Sequence, residues 1–383
     1  MLPGLGEHLT DRFLVVASPE APVSAAVERP RVGLAFSGGG FRATAFGRGV
    51  LPDVRVVSGI SGGSLLTAMW AYGPEAFGDF DDTVTELLGR GLQMELAKRT
   101  LTPRRMMANT VSATAAALPG GKNRPRRSSR TEALVNALSS RPFGAKQMIE
   151  VTHRGLTHRE LTTVISATDL STGNAVRFGS EVSSCSPHGA IVGLVPVADA
   201  VAASAAFPVL LPQLNRTYTF TRTDGTEHTE TMLMTDGGVY DNLGLSPLLP
   251  GRSRQHTSHV YDLDYIIAVD AGPGRTAPRA PHFMLGRLKR SFEIAHTRNQ
   301  DGSRALVHEL AAAGHMKGFV YSYLGMRDSQ LPVPVADLVA RQHGAQYPTN
   351  FARMALEDLE ATATRGEQLT RALIEFYCAV LGS

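Results

Sequence analysis

The chain has 383 residues, 43% of them hydrophobic and 19% charged. That is enough apolar surface to offset the chain entropy of one large domain or two ordinary ones, which excludes disorder throughout. A net charge of +3 gives no global electrostatic case for nucleic-acid binding, and two cysteines, Cys185 and Cys378, without metal-ligand spacing exclude a disulfide framework.

The N-terminus, MLPGLGEHLTDRF, lacks a basic segment followed by an apolar run, so no signal peptide is read there. Residues 31–37, RVGLAFS, read as a short buried strand ending in three glycines. A short helix is expected from about Arg42 to Leu51, a second apolar strand over Val54–Ser58, and a helix from Gly62 to Tyr72. Strand, turn, helix, strand, turn, helix is the opening of an α/β sheet with parallel strands. Residues 81–118 read as helical until Pro119-Gly120-Gly121 breaks the pattern, the basic KNRPRRSSR (122–130) as a loop, and 131–150 as helical again. TTVISATDL (162–170) is a core strand. The most apolar stretch, Ile191–Leu211, contains Asp199, Pro196 and Pro208, which a spanning helix would have to bury in lipid; it is read as core, with no transmembrane segment expected. YTFTRT and TETMLM flank Asp224-Gly225 as a hairpin, and DYIIAVDAG (264–272) is a further buried strand. From His282 the chain reads as mostly helical, with one strand at GFVYSY (318–323) and a last helix over about 364–381.

Gly59-Ile60-Ser61-Gly62-Gly63 matches G-x-S-x-G between a strand and a helix, the context that motif requires. Its glycines, Gly59 and Gly63 among them, permit a tight turn that pushes the Ser61 hydroxyl out of the sheet edge, and the helix N-terminus behind it favours developing negative charge. The bland alternative is an ordinary strand-to-helix turn with Ser61 as helix cap. Gly38, Gly39, Gly40, Phe41 and Arg42 end the preceding strand. Backbone N–H groups in such a loop suit the oxyanion of a tetrahedral intermediate, and parallel pairing would bring the loop beside Ser61. Arg42 would orient the loop or meet a lipid phosphate, or else form a structural ion pair. Gly38, Gly40 and Ala43 also fit a dinucleotide fingerprint, but the acidic residue it needs after the second strand is missing, since Asp53 precedes that strand. Thr235-Asp236-Gly237-Gly238 places an aspartate at a strand end with Gly237 and Gly238 behind it, where it can approach a nucleophile closely; alone it would read as an Asp-Gly turn. A histidine triad is the other option: His256, His259, His282, His296, His308, His315 and His343 all follow the acid, and none is singled out by its surroundings.

Taken in order, SGGGFRA, GISGGS and DGG resemble the patatin-like phospholipase family, and ATDLSTGNAVRF (167–178), ADAVAASAAFPVLLP (198–212) and TDGGVYDNLGL (235–245) are similar to its flanking segments. The resemblance runs from about Val32 to Gly244. It implies an α/β fold, patatin-like and three-layered α/β/α, with a mostly parallel central sheet. It implies a Ser–Asp dyad of Ser61 as nucleophile and Asp236 as base, an oxyanion hole from the 38–42 loop, no cofactor and no metal. The expected activity is hydrolysis of acyl esters of phospholipids or other lipids through an acyl-enzyme. The implied organisation is an extension (1–30), a catalytic domain (31–275) with a helical, basic insertion at about 76–160, and a mainly helical part (276–383) packed on the same domain.

Two departures stand out: Ala43 where the family usually has glycine, and a crossover between Gly40 and Ser61 that is shorter than usual. A catalytically silent or activator-dependent binding module is the alternative that the clipped crossover supports. Between 90 and 130, Lys98, Arg99, Arg104, Arg105, Lys122, Arg124, Arg126, Arg127 and Arg130 face only Glu95, with Met94, Leu101, Met106 and Met107 interleaved. This stretch is expected to touch an anionic membrane from a cytoplasmic protein, the alternative being a solvated helical face and loop.

Overall fold

The apolar run before the glycine loop forms β1 (Val32–Phe36), buried along its whole length. It pairs in parallel with β2 (Val56–Gly59) on one side and β9 (Tyr265–Asp270) on the other. The computed structural model describes residues 30–39, 41–48, 54–100, 129–151, 161–208, 210–274, 283–345 and 347–381. β10 (Gly318–Tyr323) extends the parallel set beyond β9, and β3 (Thr162–Asp169) extends it beyond β2. The short link between β1 and β2 still carries a helix, α1 (Phe41–Arg48). Between β2 and β3 lie α2 (Gly62–Tyr72), α3 (Phe77–Arg90), α4 (Gln93–Thr100) and α5 (Arg130–Ser140).

After β3 the pattern changes. β4 (Ala175–Gly179), β5 (Ser184–Cys185), β6 (Gly189–Val192), β7 (Leu214–Thr221) and β8 (Glu227–Thr235) pair antiparallel in succession. β8 then returns to β3, with Thr168 opposite Thr235 and Asp169 opposite Met234, so that this half of the sheet closes like a barrel. The expectation of a mostly parallel sheet is therefore corrected: four of the strand pairings are parallel and six antiparallel. For the pairs β3–β4, β5–β6 and β7–β8 the reason is length. A parallel crossover takes roughly a dozen residues or more, and the links 170–174, 186–188 and 222–226 are too short for one.

Alternation along the strands supplies a core on each face. Leu34, Phe36, Val57, Ile267, Val269 and Val320 face a large cluster with residues of α2, α3, α5, of α6 (Val197–Ser204) and of α10 (Leu356–Tyr377). Ala35, Val56, Ile266, Ala268 and Phe319 face the other way, against Leu243, Leu245, Leu248, Leu263 and Val307 of α8 (Met284–Ala312). A short α7 (Gly238–Asp241) follows β8, and α9 (Arg341–Ala345) precedes α10.

Several local expectations shift. The helical text from 81 becomes α3 and α4, split where Gly91 turns out at φ 72; residues 101–128 lie outside those described. α5 stops at Ser140, because Pro142 disfavours helical geometry in the residue before it. The core reading of Ile191–Leu211 holds for α6, buried along its whole length, but Val192, Leu194, Phe207 and Leu210 are exposed. Asp199 on that helix is paired with Arg216, which also bridges to Glu132. Among the described residues no helix is long and apolar enough to cross a membrane.

Candidate functional site

β2 delivers the chain into a turn at Ser61, which takes φ 51 and ψ −117. Positive φ is uncommon for a residue with a side chain and costs on the order of 1–3 kcal/mol, so the surroundings must enforce it. They do so by close approach: a side chain at Gly63 would put its Cβ 2.5 Å from the Phe36 carbonyl oxygen and 2.6 Å from that of Ser37, so α2 can pack on the end of β1 only with glycine there. At Gly59 a Cβ would meet the Gly63 carbonyl at 2.7 Å. All residues of α2 are buried, and the Ser61 hydroxyl makes no capping bond to that helix. The cap explanation of Ser61 thus fails. Its hydroxyl acts on the Asp236 carboxylate instead, opposing the rise in pKa that burial causes.

Asp236 arrives from the end of β8, carried there by the closure on β3. The Thr168 hydroxyl donates to its carbonyl at 2.9 Å, its own N–H donates to the Ala206 carbonyl at 3.0 Å, and its Oδ1 accepts from the Gly238 N–H at 2.7 Å. Gly237 packs so close to the Ser166 carbonyl that a Cβ would collide with it. The carboxylate is almost entirely buried, and burial raises its pKa to about 6 against the opposing hydrogen bonds from Gly238 and Ser61.

One residue that sequence reasoning passed over ties the two halves together. The Ser204 hydroxyl, at the end of α6, accepts from the Ser61 N–H at 2.9 Å and donates to the Ser166 carbonyl at 2.7 Å. Its carbonyl accepts from the Gly237 N–H at 3.1 Å. No local motif marks it, since it sits inside an alanine-rich helix. Ser204→Ala leaves a buried donor and a buried acceptor unpaired, so a loss of about 1–3 kcal/mol is expected in urea unfolding. An unchanged midpoint would show that this hydroxyl holds nothing in place.

The glycine loop lies beside Ser61, as parallel pairing of β1 and β2 requires: a Cβ at Gly38 would come 3.5 Å from the Ser61 Cβ. Its donors are not equivalent. The Gly38 N–H donates to the Asn242 carbonyl at 3.0 Å and is spent, which removes Gly38 from the expected oxyanion donors. Gly39, at φ 151, has its N–H without a partner among the described residues. Gly40 lies outside those described. Phe41 and Arg42 open α1, where the first N–H groups of any helix lack intrahelical partners. The Arg42 side chain is buried, donates from Nη1 to the Tyr347 carbonyl at 2.9 Å, and leaves Nε without a partner; burial lowers its pKa, with Asp270 opposing. It ties the loop to the segment after α9, and among the described residues it forms no ion pair.

The histidines are dispersed. His259 is fully buried against Tyr261, His308 meets Phe319 edge to face, and His256 and His315 are exposed. His282 and the His343 side chain fall outside the described residues. His296 on α8 donates to the Gly238 carbonyl, with Asp270 and Asp241 nearby, and burial lowers its pKa. No histidine is among the groups that act on Asp236. Among the described residues no cluster of three or more His, Cys, Asp or Glu is placed to hold a metal ion.

A family model for patatin-like phospholipases matches residues 34–249, more than half of the chain and the span that holds both Ser61 and Asp236. The chain belongs to the patatin-like phospholipase family. Among solved structures it is similar to human GIVD cytosolic phospholipase A2, at 13% identity and a TM-score of 0.51, covering 92% of this chain and 59% of that one. The same human enzyme in complex with methyl gamma-linolenyl fluorophosphonate inhibitor and terbium chloride matches with the same values. At that identity the likeness is one of fold, and this chain spans less than two thirds of the human one. No curated protein matches the chain. In this patatin-like chain the Ser61 turn, Gly38 and Asp236 are gathered at one end of the sheet.

Proposed function

We propose that this chain is a lipid acyl hydrolase that cleaves carboxylic esters through an acyl-enzyme on Ser61, with Asp236 as base. The observation that carries the reading is the pairing of a serine hydroxyl, held out by a positive-φ turn, with a buried carboxylate whose pKa is raised to about 6. An ordinary aspartate near 3.9 is a weak base toward an alcohol; a dry carboxylate near 6 is a better one and is still ionised at neutral pH.

Asp236 takes the Ser61 proton as the oxygen attacks the ester carbonyl. The Gly39 N–H and the free N–H groups that open α1 at Phe41 and Arg42 receive the oxyanion, with the helix dipole adding to them. The alcohol or lysolipid leaves with the proton, and Asp236 then draws a proton from the water that frees the acyl group. A phospholipid or another acyl-ester lipid fits as substrate. The family supports this, as does the human relative's complex with a linolenyl fluorophosphonate. Exposed Phe207 and Leu210 follow Ala206, whose carbonyl holds the Asp236 N–H, and offer an acyl chain an apolar approach. Contact of the 90–130 stretch with an anionic membrane belongs to the same proposal; Arg90 there pairs with Glu95, and most of the rest lies outside the described residues.

The pH profile tests the base. Asp236 must be ionised to accept the proton, and its pKa is raised, so kcat/KM on a soluble short-chain ester is expected to climb through about pH 6. An acid limb at about pH 4, the ordinary carboxylate range, would show that burial does not raise the pKa of the base.

A further inference from the structure

On the sheet face away from α2 lies a second polar cluster with an unbalanced charge. Val176 and Phe178 of β4 face the large core, so Arg177 between them points to the opposite side. It is 5% exposed, yet its Nη2 only reaches the Ser246 hydroxyl at 3.2 Å, its guanidinium lies 5.9 Å from the centre of the Tyr240 ring, and its Nε has no partner. Arg252 approaches the same spot. It donates to the Ser246 carbonyl and, at 3.0 Å, to the Thr257 hydroxyl, and its Nε is also unpartnered. His259, wholly buried, takes the Tyr261 hydroxyl on Nδ1 at 3.1 Å and leaves Nε2 unpartnered.

Neither guanidinium has a carboxylate at ion-pair distance among the described residues. The nearby Asp241 spends its two oxygens on the Leu243 and Ser246 N–H groups. Burial, then Arg177, pull Arg252 down to about 10 although Tyr240, Tyr261 and Asp241 oppose them, and burial with the same two arginines pulls His259 down to about 3, so each group feels the positive charge of its neighbours. Buried charge of one sign without a partner is costly, and proteins relieve it by pairing. Three unused nitrogens and two cations call for a group with several acceptor oxygens and more than one negative charge.

We infer that Arg177, Arg252 and His259 form an anion site that takes a phosphate group, either as the free ion or carried on a small organic ester such as a lipid headgroup. The two guanidiniums supply charge and Nε donors, His259 supplies a neutral Nε2–H, and the Ser246 and Thr257 hydroxyls hold the arginines in place. The site shares no residue with Ser61 and Asp236, and its existence does not depend on what they do.

The test is binding of inorganic phosphate to the full chain, by calorimetry and by thermal unfolding at low ionic strength, with chloride at matched ionic strength as control. Saturable binding and a rise in Tm are expected with phosphate and not with chloride. Arg177→Gln and Arg252→Gln are each expected to weaken it by about tenfold or more. Glycerol 3-phosphate is the second probe: tighter binding than inorganic phosphate assigns the site to an ester or headgroup, weaker binding to the free ion. Arg252 is only partly buried, so its variant keeps the test open if Arg177→Gln does not fold. Equal Tm shifts in phosphate and chloride, or wild-type phosphate affinity in a folded variant, would overturn the inference.

Discussion

Ser61→Ala is expected to abolish labelling by a fluorophosphonate probe and to lower ester hydrolysis by on the order of 10⁴–10⁶-fold. The effect is large because the hydroxyl is the proposed bond-forming group and water offers no equivalent held beside the oxyanion donors. The fold is expected to stay intact. The Ser61 hydroxyl does not cap α2, and its backbone contacts, the N–H to Ser204 and the carbonyl to Ser64, do not involve the side chain. A folded Ser61→Ala protein that still labels at the wild-type rate would place the nucleophile elsewhere.

Asp236→Asn is expected to act in two directions at once. Activity should fall by about 10³-fold or more, because an amide cannot take the Ser61 proton. Stability should rise. The pKa of Asp236 in the folded chain is raised from 3.8 to about 6, so the folded state binds the proton more tightly than the unfolded one. The stability tied to that proton is fully present below about pH 4 and is lost as pH rises through about 6. At neutral pH the buried carboxylate therefore costs up to roughly 3 kcal/mol, which the neutral amide removes while still accepting from Gly238. The measurement is Tm at pH 7 and again near pH 4, where the gain should shrink. A destabilised Asn variant at pH 7 would show that the carboxylate's hydrogen bonds outweigh its burial. His296→Gln separates dyad from triad: because His296 is not among the groups that act on Asp236, labelling should survive it. Loss of labelling in a folded His296→Gln protein would favour a histidine base.

Much of this could be read from the chain because it is encoded between neighbours. Apolar runs closed by glycines mark β1 and β2, and G-x-S-x-G marks a turn whose tightness only glycine permits. Asp224-Gly225 marks the hairpin of β7 and β8, and GFVYSY marks β10. β5 and β6, two and four residues long, are too short to show a period.

By itself the sequence determined the order of the three motifs, hence the family, and the local geometry that sets Ser61 at a strand end. Tertiary structure alone decided how the parts meet. The return of β8 to β3, made of pairings between distant residues, carries Asp236 to Ser61 and closes the antiparallel half of the sheet. Burial in that closure raises the pKa of the aspartate. Asn242 takes the Gly38 N–H out of the proposed oxyanion donors, and Ser204 braces the backbone of Ser61 from another helix. Arg177 and Arg252 become neighbours only when β4 and the chain after Ser246 are folded together. Each of these depends on desolvation and on contacts across the fold, and neither leaves a periodic or turn-forming trace in the linear chain.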